Sequence, residues 1–500
     1  MSLLGIDVGT TGCKAGLFSE EGHLLASSYA EYDIQRPEPG WAELDAAEVW
    51  DKVKGTIRQV AFRSATDPVK ALAVSTMGEA MVPVSADRRI LGSAILNFDT
   101  RGAEYLAGLS GVLDNERLYR VNGNTLGNHY SLPKLKWIKQ HQADLYRQAD
   151  KFLLWGCFIS FMLGAEPVVD YSLANRTLLF DLEKETWSDE LLEWAELDRA
   201  KLPDTARSGT VIGQVSPRVA NDLGLPNHVS VVTGGHDQCI NGVGCGVIEP
   251  GRAMYGMGTF ICMMPVFSRR REPAVMMERG LNTEHHAVPG QYVSFIYNQG
   301  GSLLKWFRDT FAAAERRQAQ QTGQDIYASL IAEMPEGPSG VVALPHWAPT
   351  GPPEFISDSC GVLTGLLLET SRGDILKGIL EGVTFYQREC LESLPAANIE
   401  ITDLAAVGGG SKSDVWIQMS ADILGRPFVR PKITEAGILG AAIIAGTGSG
   451  TFSSLAAGVE TMVKLERTFT PNLRQQKLYD GHFEKYKRLW PLVKDYVRSP

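Results

Sequence analysis

Short apolar runs that end in glycine or aspartate alternate along this chain with longer segments of helical periodicity. Residues 3–8, 71–75 and 229–232 have the length and composition of buried strands, whereas residues 46–60 and 134–146 have the spacing of helices. Buried strands that are separated by helices form sheets covered by helices on their faces. The pattern therefore predicts an α/β fold.

The chain of 500 residues is too long for one core, because domains usually hold about 100 to 200 residues. Glycines and a proline cluster in residues 242–251, and a new strand pattern begins soon afterwards. We therefore expect two domains, residues 1–246 and 247–500. Each half opens on an apolar strand that reaches a Gly-Thr turn, which is compatible with an internal structural repeat.

Charge and composition restrict the classes of partner. The net charge is −10, so a nucleic-acid or anionic-membrane surface is disfavoured. Residues 152–165 form an uncharged apolar stretch of 14 residues, which falls short of the roughly 18 to 20 residues that span a bilayer. The amino terminus does not resemble a secretory signal, and the 7 cysteines include no C-x-x-C pair. We expect a cytoplasmic protein without nucleic-acid or membrane partners.

The first candidate site follows the first strand, in the sequence Asp7-Val8-Gly9-Thr10-Thr11. Glycine lets backbone N–H groups approach phosphate oxygens, hydroxyls donate to them, and a carboxylate can hold a metal ion through water. An ordinary hairpin turn has the same composition. The segment is thus a candidate phosphate and metal site.

The second candidate site, Gly234-Gly235-His236-Asp237-Gln238, also ends an apolar strand. An acid at the carboxyl end of a strand is in the usual place for a catalytic group of an α/β domain, although such an Asp can equally cap a helix. These residues make Asp237 the candidate catalytic acid or base.

The third candidate site is the glycine-rich segment 408–414, which lies between a strand and a helix, so its amides could face an anion. A glycine-rich connection that binds nothing is the alternative. The chain has neither a P-loop sequence nor the dinucleotide fingerprint, which disfavours those two nucleotide-binding classes.

These three motifs, in this order, resemble those of the FGGY carbohydrate kinases of the actin-like ATPase superfamily. Two longer family signatures are matched by residues 131–141, with His129 as a departure at the first position, and by residues 361–366 followed by 374–381. The resemblance covers essentially the whole chain.

The resemblance implies two RNase-H-like domains of the actin/Hsp70 type with an active-site cleft between them. It implies ATP and Mg²⁺ as cofactors, a small sugar as substrate and a homodimer. Asp237 would be the general base and would also be associated with the metal. Asp7 would be associated with the metal through water. The residues implied to bind ATP and its phosphates are Gly9, Thr10, Thr11, Gly258, Thr259, Gly409, Gly410, Ser411 and Asp414.

The sugar pocket departs from better-known members of the family. Met77-Gly78-Glu79-Ala80 stands where xylulose kinases typically have Met-His and glycerol kinases have Arg-Glu, so Glu79 resembles a polyol-binding acid without its basic neighbour. Asn97 stands where a stacking Trp is usual. The implied substrate-binding residues are Met77, Gly78, Glu79, Asp99, Arg101, His129, Asp237 and Gln238. For the charged ones and His129, a structural salt bridge is the alternative.

The expected function is the ATP-dependent phosphorylation of the terminal hydroxyl of a small ketose, such as the ketopentose D-xylulose. An L-fuculose-type deoxyketose, or another sugar or polyol, is the alternative within this class. A different class is a non-catalytic actin-like protein that uses ATP as a switch. Sugar-independent ATP hydrolysis would distinguish that protein from a kinase.

Overall fold

The computed structural model describes residues 1–62, 67–353, 355–433 and 435–498. It contains two main sheets, one from each half of the chain. The strands of the first sheet are β1 (Ser2–Val8), β2 (Gly12–Ser19), β3 (Leu24–Glu31), β4 (Val69–Thr76), β5 (Val211–Gln214) and β6 (Ser230–His236). Those of the second are β7 (Arg252–Met257), β8 (Phe260–Phe267), β9 (Glu284–His285), β10 (Tyr292–Val293), β11 (Ile296–Gln299), β12 (Asp403–Val407), β13 (Phe428–Pro431) and β14 (Leu465–Phe469).

The two sheets share one central arrangement. The first has the order β5-β6-β4-β1-β2-β3, in which β6, β4 and β1 are parallel and β1 forms a hairpin with β2. The second has the order β9-β10-β8-β7-β12-β13-β14, in which β7, β12 and β13 are parallel and β7 forms a hairpin with β8. The strand β11 also pairs with β8. The α/β prediction is confirmed, and the repeat is present in the strand order.

Helices cover both sheets. The longer ones and those used below are α1 (Ala46–Ala61), α2 (Ser131–His141), α3 (Trp155–Leu163), α4 (Asp237–Gly244), α5 (Gly301–Phe311), α6 (Arg372–Ser393), α7 (Asp414–Leu424), α8 (Ala436–Gly448) and α9 (Leu473–Val497). Further helices are Leu106–Ser110, Asn115–Asn122, Ala143–Gln148, Tyr171–Asn175, Asp189–Ala195, Pro217–Leu223, Pro273–Glu278, Ala313–Thr322, Ile326–Ala332 and Leu455–Met462. Short paired strands are Glu43–Leu44, Met81–Val84, Ala94–Ile95, Lys151–Leu154, Val168–Asp170, Phe180–Asp181, Thr186–Trp187, Asp204–Ala206, Val342–Leu344 and Val362–Thr364.

The predicted helix over residues 134–146 is in fact two helices. The first, α2, ends at His141, and the second runs from Ala143 to Gln148. Gln142 between them has the non-helical angles φ −128° and ψ 51°. Among the helices that the structure describes, none is both long enough and apolar enough to cross a bilayer.

Helix α8 joins the two halves. It belongs to the second half of the chain but packs against β1, β4 and β6 of the first sheet and against α4. Small residues allow this close approach: a Cβ atom on Gly440 would lie 2.0 Å from the carbonyl oxygen of Ile240, and one on Gly244 would lie 2.0 Å from that of Ala436. The pair α4 and α8 therefore fixes the first sheet against the second at the level of the backbone.

Candidate active site

Three parallel strands of the first sheet end side by side. Val8 at the end of β1 pairs with Thr76 at the end of β4, and Thr76 pairs with His236 at the end of β6. The residues that follow these strand ends therefore meet at one edge of the sheet, which is the usual position of ligands in α/β domains.

A cavity of about 550 Å³ opens at this edge. Its wall includes residues from the first half of the chain and residues from the second half, such as Phe260, Asn282 and Tyr297. The predicted site residues that line it are Thr10, Met77, Gly78, Glu79, His129, Asp237 and Gln238. One chamber thus contains the predicted base, part of the predicted phosphate turn and most of the predicted sugar residues.

Asp237 is the first residue of α4, directly after β6. The strand shifts its register between Val232 and Gly235, where a Cβ atom on Gly234 would lie 1.9 Å from the carbonyl oxygen of Val74, so glycine is required there. Burial raises the pKa of Asp237 to about 7, and the nearby charges of Asp7 and Glu79 contribute to the increase. A carboxylate whose pKa lies near neutrality is suited to accept a proton.

Asp7 lies under the start of α8. Its side chain accepts a hydrogen bond of 2.6 Å from Ser75 Oγ, and burial raises its pKa. A Cβ atom on Gly437 would lie 3.0 Å from Asp7 Cγ, so only a glycine lets the helix start so close to this carboxyl. Nearby, Lys14 of β2 forms an ion pair with Glu435 of the second half.

The turn after β1 is held by its backbone and leaves its hydroxyls free. The Gly9 amide donates to the Gly12 carbonyl at 2.9 Å, and Tyr32 Oη donates to the Gly9 carbonyl at 2.6 Å. Neither Thr10 nor Thr11 uses its hydroxyl in a hydrogen bond with another described residue, and Thr11 is exposed. Both hydroxyls are therefore available to phosphate oxygens.

The remaining predicted nucleotide residues lie on the second half, outside the cavity wall. Gly258 and Thr259 form the turn between β7 and β8, and their carbonyls accept from the Gly301 and Ser302 amides at the start of α5, at 2.9 and 3.0 Å. Gly409 faces open space where a side chain would project.

Two other residues of the predicted adenosine site, Ser411 and Asp414, already have protein partners. Ser411 Oγ donates to the Gly408 carbonyl at 2.7 Å, so its hydroxyl supports the loop. Asp414 begins α7 and forms ion pairs with Arg430, at 2.7 Å, and with Arg467.

These features suit ATP and magnesium. The open face at Gly409 and the free hydroxyls of Thr10 and Thr11 provide room and donors for a nucleotide. No cluster of three or more His, Cys, Asp or Glu side chains that could hold a metal occurs among the residues described. Mg²⁺ commonly uses one or two carboxylates with waters and substrate phosphates, and two carboxyls, Asp7 and Asp237, match that number.

Glu79 has a basic partner after all, but not a neighbour in sequence. Its Oε1 accepts a hydrogen bond of 2.7 Å from Nε of Arg176, and its Oε2 accepts one of 3.4 Å from Asn97 Nδ2. Glu79 itself has a φ of +60°, an uncommon value for a residue other than glycine. The rings of His129 and Tyr130 are in tilted contact with their centres 3.9 Å apart, and burial lowers the pKa of His129 to about 3, so its ring is neutral.

Asp99 and Arg101 occupy a different position from the one expected. Asp99 accepts hydrogen bonds from Arg101 at 2.7 Å and from the Ala42 amide at 2.6 Å, and Arg101 also pairs with Glu43 at 2.6 Å. The Arg101 guanidinium lies 3.9 Å from the ring centre of Trp41. Both side chains are buried and are absent from the cavity wall, so the salt-bridge alternative describes their placement.

The sequence is matched by family models along most of its length. Residues 2–244 match the N-terminal domain of the FGGY family of carbohydrate kinases, and residues 253–449 match its C-terminal domain. The chain belongs to this family. It is therefore a carbohydrate kinase with the two-domain, actin-like fold, and a sugar is the class of small molecule on which it acts.

Relatives of this FGGY kinase carry more than one kind of name. It is 31% identical to an autoinducer-2 kinase of Escherichia coli, over 98% of this chain and 94% of that protein. It is 26% identical to a xylulose kinase of Staphylococcus epidermidis, over 98% and 97%. Its structure superposes on that of the xylulose kinase from Rhodospirillum rubrum with a TM-score of 0.87 and 25% identity, over 100% of both chains.

Proposed function

We propose that this FGGY kinase transfers the γ-phosphoryl group of ATP to the terminal hydroxyl of a small ketose, a ketopentose such as D-xylulose. The observation that supports this most is that Asp237, Glu79 and Gln238 share one cavity with Thr10. The cavity offers a base and hydrogen-bonding groups for a polyhydroxylated chain beside a turn suited to phosphate.

In the proposed reaction, Asp237 accepts the proton of the terminal hydroxyl as that oxygen attacks the γ-phosphorus. The new P–O bond forms while the bond from the γ-phosphorus to the oxygen bridging it to ADP breaks, and ADP leaves with the electron pair. Thr10 and Thr11 donate hydrogen bonds to phosphate oxygens. Asp7 and Asp237 would hold Mg²⁺, which would supply charge neutralisation for the phosphates.

The two proposed domains divide these tasks. Residues 1–246 carry the base, the first phosphate turn and most of the sugar residues. Residues 247–500 carry the second turn at Gly258 and Thr259 and the glycine-rich loop at Gly409, Gly410, Ser411 and Asp414, which would border the adenosine. The packing of α8 across the boundary supports a site that depends on both domains.

Autoinducer-2 is a second candidate substrate. Two observations favour it: the 31% identity to an autoinducer-2 kinase, and the apolar part of the cavity wall, formed by Met77, Met277, Leu281 and Phe295. Burying a substrate carbon that carries no hydroxyl against an apolar wall is favourable. The same observation therefore also favours a deoxyketose such as L-fuculose.

A coupled assay of ADP release with Mg·ATP tests the proposal. The panel contains D-xylulose, L-fuculose, autoinducer-2, an aldose, glycerol and a blank without sugar, and Asp237→Asn is the matched control variant. We expect one ketose to stimulate release strongly and Asp237→Asn to abolish that stimulation while its thermal unfolding stays normal. Release equal to the blank with every sugar would instead support the ATP switch.

A further inference from the structure

Arg176 lies where the sugar cavity meets both halves of the chain. It follows the helix Tyr171–Asn175, its side chain is only 12% exposed, and it lines the cavity. Its Nε donates to Glu79 Oε1 at 2.7 Å, and its Nη1 donates to Glu284 Oε1 at 2.7 Å. Glu79 belongs to the first half and Glu284 to β9 of the second, so the guanidinium is held from both sides.

Gly78 provides the space that Arg176 occupies. A Cβ atom on Gly78 would lie 3.0 Å from Arg176 Cγ and 3.3 Å from its Cβ, closer than ordinary contacts. A Cβ atom at position 78 would therefore press on the arginine side chain, which would have to shift by a few tenths of an ångström. Gly78 is therefore not basic itself, but it leaves room for Arg176, which supplies the basic partner of Glu79.

The guanidinium retains donors for a ligand. Arginine has five N–H groups, and its hydrogen bonds to Glu79 and Glu284 use three of them, one each on Nε, Nη1 and Nη2. One N–H on each terminal nitrogen is left. Among the described residues that line the cavity, Arg176 is the only Lys or Arg.

A ketose presents an oxygen that Glu79 cannot bind. A carbonyl oxygen only accepts hydrogen bonds, as does an ionised carboxylate, whereas a hydroxyl can donate to a carboxylate. The carbonyl therefore needs a donor whose orientation is fixed, and a planar guanidinium held by two carboxylates provides one.

We propose that Arg176 determines the specificity of this kinase for ketoses by donating a hydrogen bond to the carbonyl oxygen of the sugar. Glu284 is a positioning residue that orients the guanidinium, and Gly78 admits it. This inference rests on the proposed function and extends it to the part of the substrate that distinguishes a ketose from its alditol.

The test compares D-xylulose with xylitol, in which the carbonyl is reduced to a hydroxyl, in the wild type, Arg176→Lys and Arg176→Gln. Hydrogen bonds to charged groups contribute enough for a roughly tenfold to hundredfold change in an equilibrium constant. We expect kcat/KM for D-xylulose to fall by that factor in both variants while kcat/KM for xylitol changes much less. Arg117→Gln, which removes an exposed arginine paired with Glu190, is the matched control and should change neither value.

Arg176→Gln leaves two buried carboxylates without their cation, so this variant could fail to fold. A second variant tests the proposal without removing a charge. Gly78→Ala keeps all three charges but presses on the arginine side chain and shifts it slightly, so it should reduce the preference for the ketose in the same direction. In an Arg176→Ala background, which removes Cγ, Gly78→Ala should have little further effect on that preference.

The outcomes separate the two proposals. If no ketose stimulates ADP release by the wild type, the proposed function fails and this inference fails with it. The other outcome is that D-xylulose is a substrate but folded Arg176→Lys and Gly78→Ala leave the ratio of kcat/KM for D-xylulose to kcat/KM for xylitol unchanged. Arg176 then does not bind the carbonyl oxygen, and only this inference is overturned.

Discussion

The contact between α4 and α8 predicts that Gly440→Ala destabilises the protein. A Cβ atom at this position would lie 2.0 Å from the carbonyl oxygen of Ile240, and ordinary contacts begin near 3.4 Å. The two helices would have to move apart by about 1.4 Å. Because the opposing atom belongs to the backbone, it cannot rotate away as a side chain could.

The magnitude follows from two opposing effects. Overpacking of a tight contact costs about 1 to 3 kcal/mol, and the rigid backbone of both partners places this site at the upper end. Replacing a glycine by alanine inside a helix gains at most about 1 kcal/mol of helix propensity. We therefore expect Gly440→Ala to lower the free energy of unfolding by about 2 kcal/mol.

Gly481→Ala is the matched control. Gly481 lies inside α9, and a Cβ atom there would have no heavy atom within 4 Å. Only the gain in helix propensity applies, so this variant should be stabilised by up to about 1 kcal/mol. Urea unfolding followed by circular dichroism measures both, and the two variants should shift the midpoint in opposite directions. A Gly440→Ala protein as stable as the wild type would refute the close approach of the two helices.

Three further predictions concern other parts of the molecule. Asp99→Ala should lower the unfolding free energy by about 3 kcal/mol, because it leaves the buried Arg101 without one of its two carboxylates, and urea unfolding measures the change. Thr11→Val should raise the KM for ATP severalfold in steady-state kinetics while the KM for the sugar stays constant, since Thr11 is exposed on the proposed phosphate turn and does not line the sugar cavity. Burial raises the pKa of Glu381 to about 8 from its ordinary 4.5. The unfolded chain loses that proton near pH 4.5 and the folded protein near pH 8, so stability should fall as pH rises through this window, and Glu381→Gln should reduce the slope of the urea midpoint against pH.

Sequence patterns predict the parts of the site that are continuous in the chain. The turn after β1 and the Asp237 segment each consist of an apolar strand followed at once by its functional residues, so periodicity and glycine spacing locate them. Comparison with family motifs adds Glu79, which follows β4. These residues line the cavity because neighbouring parallel strands end at the same edge of a sheet.

Patterns do not reveal partners that are distant in the chain. Arg176 is 97 residues from Glu79 and 108 from Glu284, and it lies in no motif. Asp99 and Arg101 show the opposite error: their polar pattern suggests a sugar site, but in the fold Asp99 pairs with Arg101, whose guanidinium contacts Glu43 and Trp41. Which charged group faces a cavity depends on how separate segments pack, and spacing along the sequence does not contain that information.

The three strand ends also place three acids close together, and this affects the pKa of Asp237. Asp7, Glu79 and Asp237 lie at or just after the ends of adjacent parallel strands, so the fold places three acids at one edge of the sheet. The charges of Asp7 and Glu79 contribute to the raised pKa of Asp237. Arg176 pairs with Glu79, and Ser75 donates to Asp7, but no Lys or Arg among the described residues forms an ion pair with Asp237. Burial and the two neighbouring charges thus raise the pKa of Asp237 to about 7, and no salt bridge to Lys or Arg among the described residues opposes this increase. A group in that condition can take up a proton from a substrate hydroxyl near neutral pH, which is the role proposed for it.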